Sequence, residues 1–134
     1  MTSIIRIPTD PDETEAPSLG QLLMESATAG RDRDAVQALV EERTLLEHPA
    51  VRAALVVEER GRPKCRWEDL AGRVYTLGLD EGGRAFLGLV LSLVGIGHVT
   101  VVAVQALDEH RLAIFLRAVL RLSGNTTIAV GTRL

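Results

Sequence analysis

Residues 85–107 read AFLGLVLSLVGIGHVTVVAVQAL, 23 positions between Arg84 and Asp108 without an Asp, Glu, Lys or Arg. The run is as long as a membrane-spanning helix, about 20 residues at 1.5 Å rise each, and as apolar as a buried core. Its interior decides between the two. Gly95-Ile96-Gly97-His98 places two helix-weakening glycines and an ionisable imidazole near the centre of the would-be span. Valines at 99, 101, 102 and 104 then favour extended backbone, and no aromatic belt brackets the run. The reading is two packed pieces without a membrane: a helix from Asp80 to Val94, a glycine break, and a second element over 98–107, either strand or helix. As a strand it would be buried on both faces, since neither alternate set is polar.

Working outward, Asp80 and Asp108 each precede a glutamate and each is placed to cap a helix, the second running to Ser123. In that last helix Leu112, Phe115, Leu116, Val119, Leu120 and Leu122 fall on one broad face at 100° per residue, which is expected to face the core. Arg111, Arg117 and Arg121 fall on the other face, together with Ile114 and Ala118. Gly124 is a helix stop, and Thr126–Val130 is strand-like. Upstream, Ser18 is placed to cap a helix to Ala29, and Asp32 or Asp34 a second helix to Leu46 with Glu41, Glu42 and Arg43 in water. His48-Pro49 opens a third element, with a strand over 54–58 as the alternative to a helix there. A turn comes next at 58–63, then a short helical turn at 66–71 and a strand at Val74–Leu77.

The fold class expected is mainly α (α+β): a compact helical domain over 18–134 with a small β-sheet, preceded by a disordered acidic tail over 1–17. That tail holds Pro8, Pro11 and Pro17 with four carboxylates against Arg6, a charge of −3 that equals the net charge of the whole chain. Too little apolar surface is present there to offset ordering entropy, although Ile4, Ile5 and Ile7 have the character of an edge strand. At 134 residues with 46% hydrophobic and 25% charged positions, the chain can build one core unaided. One cysteine, Cys65, cannot form an internal disulfide, which points to a reducing, cytoplasmic setting. The first residues lack the apolar stretch of a secretory signal. Arginine outnumbers lysine 14 to 1, a bias expected of a GC-rich bacterial genome.

No catalytic, metal or nucleotide motif is legible, so no catalytic residue, metal or cofactor is assigned. His48, His98 and His110 lack metal-ligand spacing. His98 has two readings: a buried general base kept neutral by desolvation, or an element-end residue bonded to a carbonyl. Cys65 stands between Lys64 and Arg66, which would lower its pKa and make it reactive; an ordinary loop cysteine is the alternative. Gly95 and Gly97 lack the third glycine of a dinucleotide fingerprint and are read as a tight connection.

Two functions stand first. One is a non-enzymatic interaction or regulatory protein, a cytoplasmic homodimer or partner of another protein, because so small a domain has few places to hide so much apolar surface. The other is a nucleic-acid-binding regulator using Arg111, Arg117 and Arg121, where residues 108–134 carry a local charge of +2. Ile114 and Ala118 within that face and the acidic whole chain weigh against it, as does an alternative in which these arginines pair with a neighbouring helix or subunit. An enzyme using His98 or Cys65 is the third reading.

Overall fold

Ser18 closes a reciprocal cap at the start of the chain's first described helix. Its hydroxyl accepts from the Gln21 backbone N–H at 3.2 Å, and the Gln21 side-chain oxygen accepts from the Ser18 N–H at 2.9 Å. The computed structural model describes residues 16–28 and 30–133. The expectations for residues 1–15, including the isoleucine strand, therefore lie outside the described residues.

Helix α1 spans Leu19–Ser26 and α2 spans Arg31–Glu42. Arg43, at φ +74°, breaks the second helix before it reaches Leu46, and a single turn, α3 (Thr44–Glu47), comes after it. Neither Asp32 nor Asp34 caps α2; both lie in its first turn. His48 Nδ1 accepts from the Ala50 N–H at 3.2 Å, and Pro49 begins α4 (Pro49–Leu55).

Strands β1 (Val56–Glu59) and β2 (Arg62–Cys65) form an antiparallel hairpin in which Val56 faces Cys65 and Glu59 faces Arg62. Arg60 at φ +58° and Gly61 at φ +78° make the two-residue connection, the left-handed pair that matches strand twist. Helix α5 (Trp67–Ala71), a 3-10 helix at Val74–Thr76, α6 (Glu81–Val94), a second 3-10 helix at Val101–Ala106 and α7 (Glu109–Ser123) complete the order.

The protein is thus mainly α with a small two-stranded sheet; β1 overlaps the alternative strand over 54–58, but its partner β2 and the fate of the other expected strands differ from expectation. Val74–Thr76 winds into a 3-10 turn instead of a strand. Thr126–Val130 has no regular structure. There the Asn125 carboxamide oxygen accepts from the N–H groups of Thr127 and Ile128 at 3.0 and 2.8 Å, a local turn that competes with ladder pairing. Residues 98–107 hold a 3-10 helix, and Val101 and Val102 are 70% and 60% exposed, so the doubly buried strand is also corrected.

The charge-free run resolves as its interior glycines predict. Asp80 Oδ1 accepts from the Gly83 N–H at 2.8 Å to start α6, and Gly95, at φ +95°, ends it in the left-handed region that glycine reaches without strain. Among the described residues no helix is long and apolar enough to cross a membrane. Instead α6 is the central core element, burying Phe86, Leu87, Leu89, Val90, Leu91 and Leu93. Helices α2, α6 and α7 pack against one another, while α1 packs against both α2 and β2. Gly88 lets the chain return closely over α6: a Cβ there would stand 2.6 Å from Val99 Cγ1.

Candidate functional site

Helix α7 starts where Asp108 Oδ1 accepts from the Arg111 N–H at 2.8 Å and stops at Gly124. Between them the helix presents two faces, and its orientation is the reverse of the expected one. Ile114, Phe115 and Ala118 are its buried residues. Leu116, Val119 and Leu122 are 41%, 38% and 40% exposed. Leu112, Ala113 and Leu120 are half-buried. The arginine side is the packing side, and most of the leucine side looks outward.

The cause lies in α2. At helical spacing it carries Asp34, Ala38, Glu41 and Glu42, an acidic stripe with one small residue, and the α7 arginines descend along it in antiparallel order. Arg121 Nε lies 4.0 Å from Asp34 Oδ1, and its Nη1 lies 3.7 Å from Glu41 Oε2. Arg117 Nη2 donates to Glu41 Oε1 at 3.3 Å. Arg111 donates through Nε at 3.1 Å and pairs through Nη2 at 3.0 Å with Glu42 Oε2. The Arg117–Glu41 pair keeps contact with water and contributes about 0–1 kcal/mol, so it selects the face more than it stabilises it, whereas the Arg111–Glu42 pair is buried. Burial of Phe115 and Ile114 contributes more, roughly 1.5–3 kcal/mol apiece.

Glu42 is the largest departure from expectation here. Read from the sequence as solvent-facing, it is 4% exposed. Its carboxylate accepts from the Leu45 N–H at 2.9 Å and from the Thr44 hydroxyl besides holding Arg111, so the helix break at Arg43 is itself capped by this side chain. Desolvation pushes the Asp34 carboxyl above its ordinary pKa, against the pull of Arg121 and Arg33. The signal that could have located the pairing is the match of acidic positions 34, 41 and 42 with basic positions 121, 117 and 111.

The outward arc of α7 carries one charge, Glu109 in its first turn, and none from Leu112 onward. Leu112, Leu116, Val119 and Ser123 succeed one another at steps of 4, 3 and 4, the spacing of a coiled-coil seam, with Ala113 and Leu120 beside it. The arginines that could have interrupted it are held on α2.

The other candidate residues are dispersed. His98 is exposed, on the turn after Gly97, with no protein hydrogen bond among the described residues, so both the buried base and the carbonyl-bonded imidazole are corrected. Cys65 ends β2, and its pKa is pushed up to about 12 by burial, with the Asp32 carboxylate adding to the rise. The expected lowering fails because the flanking cations turn to carboxylates of their own: Lys64 to Glu59 at 3.3 Å and Arg66 to Asp69 at 3.4 Å. Asp32 also accepts from the Trp67 indole N–H at 2.6 Å. His48 caps α4, and His110 lies in the first turn of α7. Among the described residues no group of His, Cys, Asp and Glu converges to hold a metal ion. No family model, no curated protein and no solved structure matches this chain.

Proposed function

We propose that this chain is a non-enzymatic interaction protein of the cytoplasm that works as a homodimer, with the outward face of α7 as its association surface. The observation that carries the reading is the inversion of that helix: Leu116, Val119 and Leu122 stay about two-fifths exposed while its arginines engage α2. A second copy is the occupant that suits it. From Leu112 onward the arc offers no charge for a foreign partner to complement, and homodimer interfaces are the more apolar kind. Its 4-3-4 spacing lets the same seam pack against itself as knobs into holes. Burying the remaining surface of each exposed side chain contributes on the order of 1 kcal/mol, counted twice in a two-fold pair. Sedimentation equilibrium over a dilution series tests this: the mass falls from twice to once the chain mass of 14.5 kDa. A folded monomer at every concentration overturns it.

A further inference from the structure

A groove of about 510 Å³ lies on the side of α6 between the two 3-10 helices, within the range of about 300–1,000 Å³ usual for small-molecule sites. Small residues make it. Ala85, Gly88 and Leu91 of α6 line it, together with Val99 and Ala103. At the mouth stand Tyr75, Glu81, Arg84 and His98, the titratable groups that face it.

Arg84 is the informative one. It is half-buried, and its guanidinium carbon lies 5.5 Å from the centroid of the Tyr75 ring. One N–H donates to the Leu79 carbonyl at 3.3 Å. Unlike Arg111, Arg117 and Arg121, it pairs with no carboxylate among the described residues, although Glu81 stands three positions before it on the same helix. Tyr75 is 81% exposed, the most open of the large apolar or aromatic side chains described. An aromatic ring held in water and a half-buried cation without a counter-ion among the described residues meet at one apolar cavity.

We propose that this groove binds a small amphiphilic monocarboxylate, with its apolar chain or ring between the 3-10 helices and its carboxylate on Arg84. The anion accepts charge-assisted hydrogen bonds from the free guanidinium N–H groups, and His98 offers another donor. Glu81 at the same mouth repels additional negative charge, which selects a single carboxylate over a dianion. The site is separate from the α7 seam and does not rest on the dimer.

Calorimetric titration of the full chain with decanoate, decanol, decylamine and the ten-carbon dicarboxylate sebacate, each below micelle-forming concentration, tests it. Decanoate binds saturably at one per chain. Decanol and sebacate bind about tenfold more weakly, and decylamine shows no binding. Arg84→Gln reduces decanoate to the affinity of decanol and leaves decanol unchanged; Ala103→Trp removes both. If Ala103→Trp does not fold, amide shifts of Val99 and Ala103 on adding decanoate to the native chain serve in its place. Leu116→Glu leaves binding intact. No saturable decanoate binding, no effect of Arg84→Gln, no shifts at the groove, or loss of binding in Leu116→Glu each overturns the proposal.

Discussion

Arg111 on α7 and Glu42 at the end of α2, 69 positions apart in the chain, form an ion pair in which the glutamate side chain is 2% exposed and the arginine 17%. Three donors converge on that carboxylate: the guanidinium, the Leu45 N–H and the Thr44 hydroxyl. Removing one partner of a buried pair leaves an uncompensated charge. Arg111→Met should therefore destabilise the protein by about 3–5 kcal/mol in urea unfolding. Adding Glu42→Gln should recover a large part, because the amide keeps the Leu45 bond without the charge. Equal stability of the single and double variants would show that the pair does not organise this junction.

Gly88 reverses an ordinary rule. Alanine in place of a helix-interior glycine normally stabilises by about 1 kcal/mol. Here the added methyl would stand 2.6 Å from Val99 Cγ1, so Gly88→Ala should destabilise, by about 1–3 kcal/mol. Val99→Ala in the same chain should restore much of the loss. Thermal unfolding of the two single variants and the double variant measures both.

Cys65 gives a pH dependence. The thiol would ionise near 9.0 in the unfolded chain, whereas burial beside Asp32 holds its proton in the folded chain to about 12. The stability this proton confers is complete below pH 9 and is lost as pH rises from 9 toward 12. Cys65→Ala should flatten that part of the stability–pH curve. At pH 8 a thiol reagent should label the native protein far more slowly than the urea-unfolded one. Rapid native labelling would contradict the burial.

The half-exposed pairs predict small effects. Arg117→Ala should cost no more than about 1 kcal/mol, since Arg117 and Glu41 both keep contact with water. Its effect should shrink further in high salt. Chemical denaturation at low and high salt checks this.

Local signals located most helix ends, because caps are chemistry between near neighbours. Ser18, Asp80, Asp108, Gly95 and Gly124 act where the sequence places them. The glycine break at 95–97 likewise separates α6 from the second 3-10 helix. Orientation and partners were less legible. The wheel of α7 separates leucines from arginines, but which side is buried depends on the carboxylates that α2 offers from 69 to 87 positions away. Strand propensity at Val74–Leu77 and Thr126–Val130 gave way for want of a pairing edge and, at the second, to the Asn125 turn. The Cys65 expectation failed for a similar reason: sequence neighbours Lys64 and Arg66 face Glu59 and Asp69, while the groups that govern the thiol come from elsewhere in the fold.

The central claim is that the outward face of α7 joins two copies of the chain. Sedimentation equilibrium of the native protein beside Leu116→Glu tests it most directly, with circular dichroism on both to confirm folding. The account predicts twice the chain mass for the native protein at micromolar concentration and the single mass of 14.5 kDa for the helical, folded variant. A monomeric native protein, or a Leu116→Glu variant that still pairs, would contradict it.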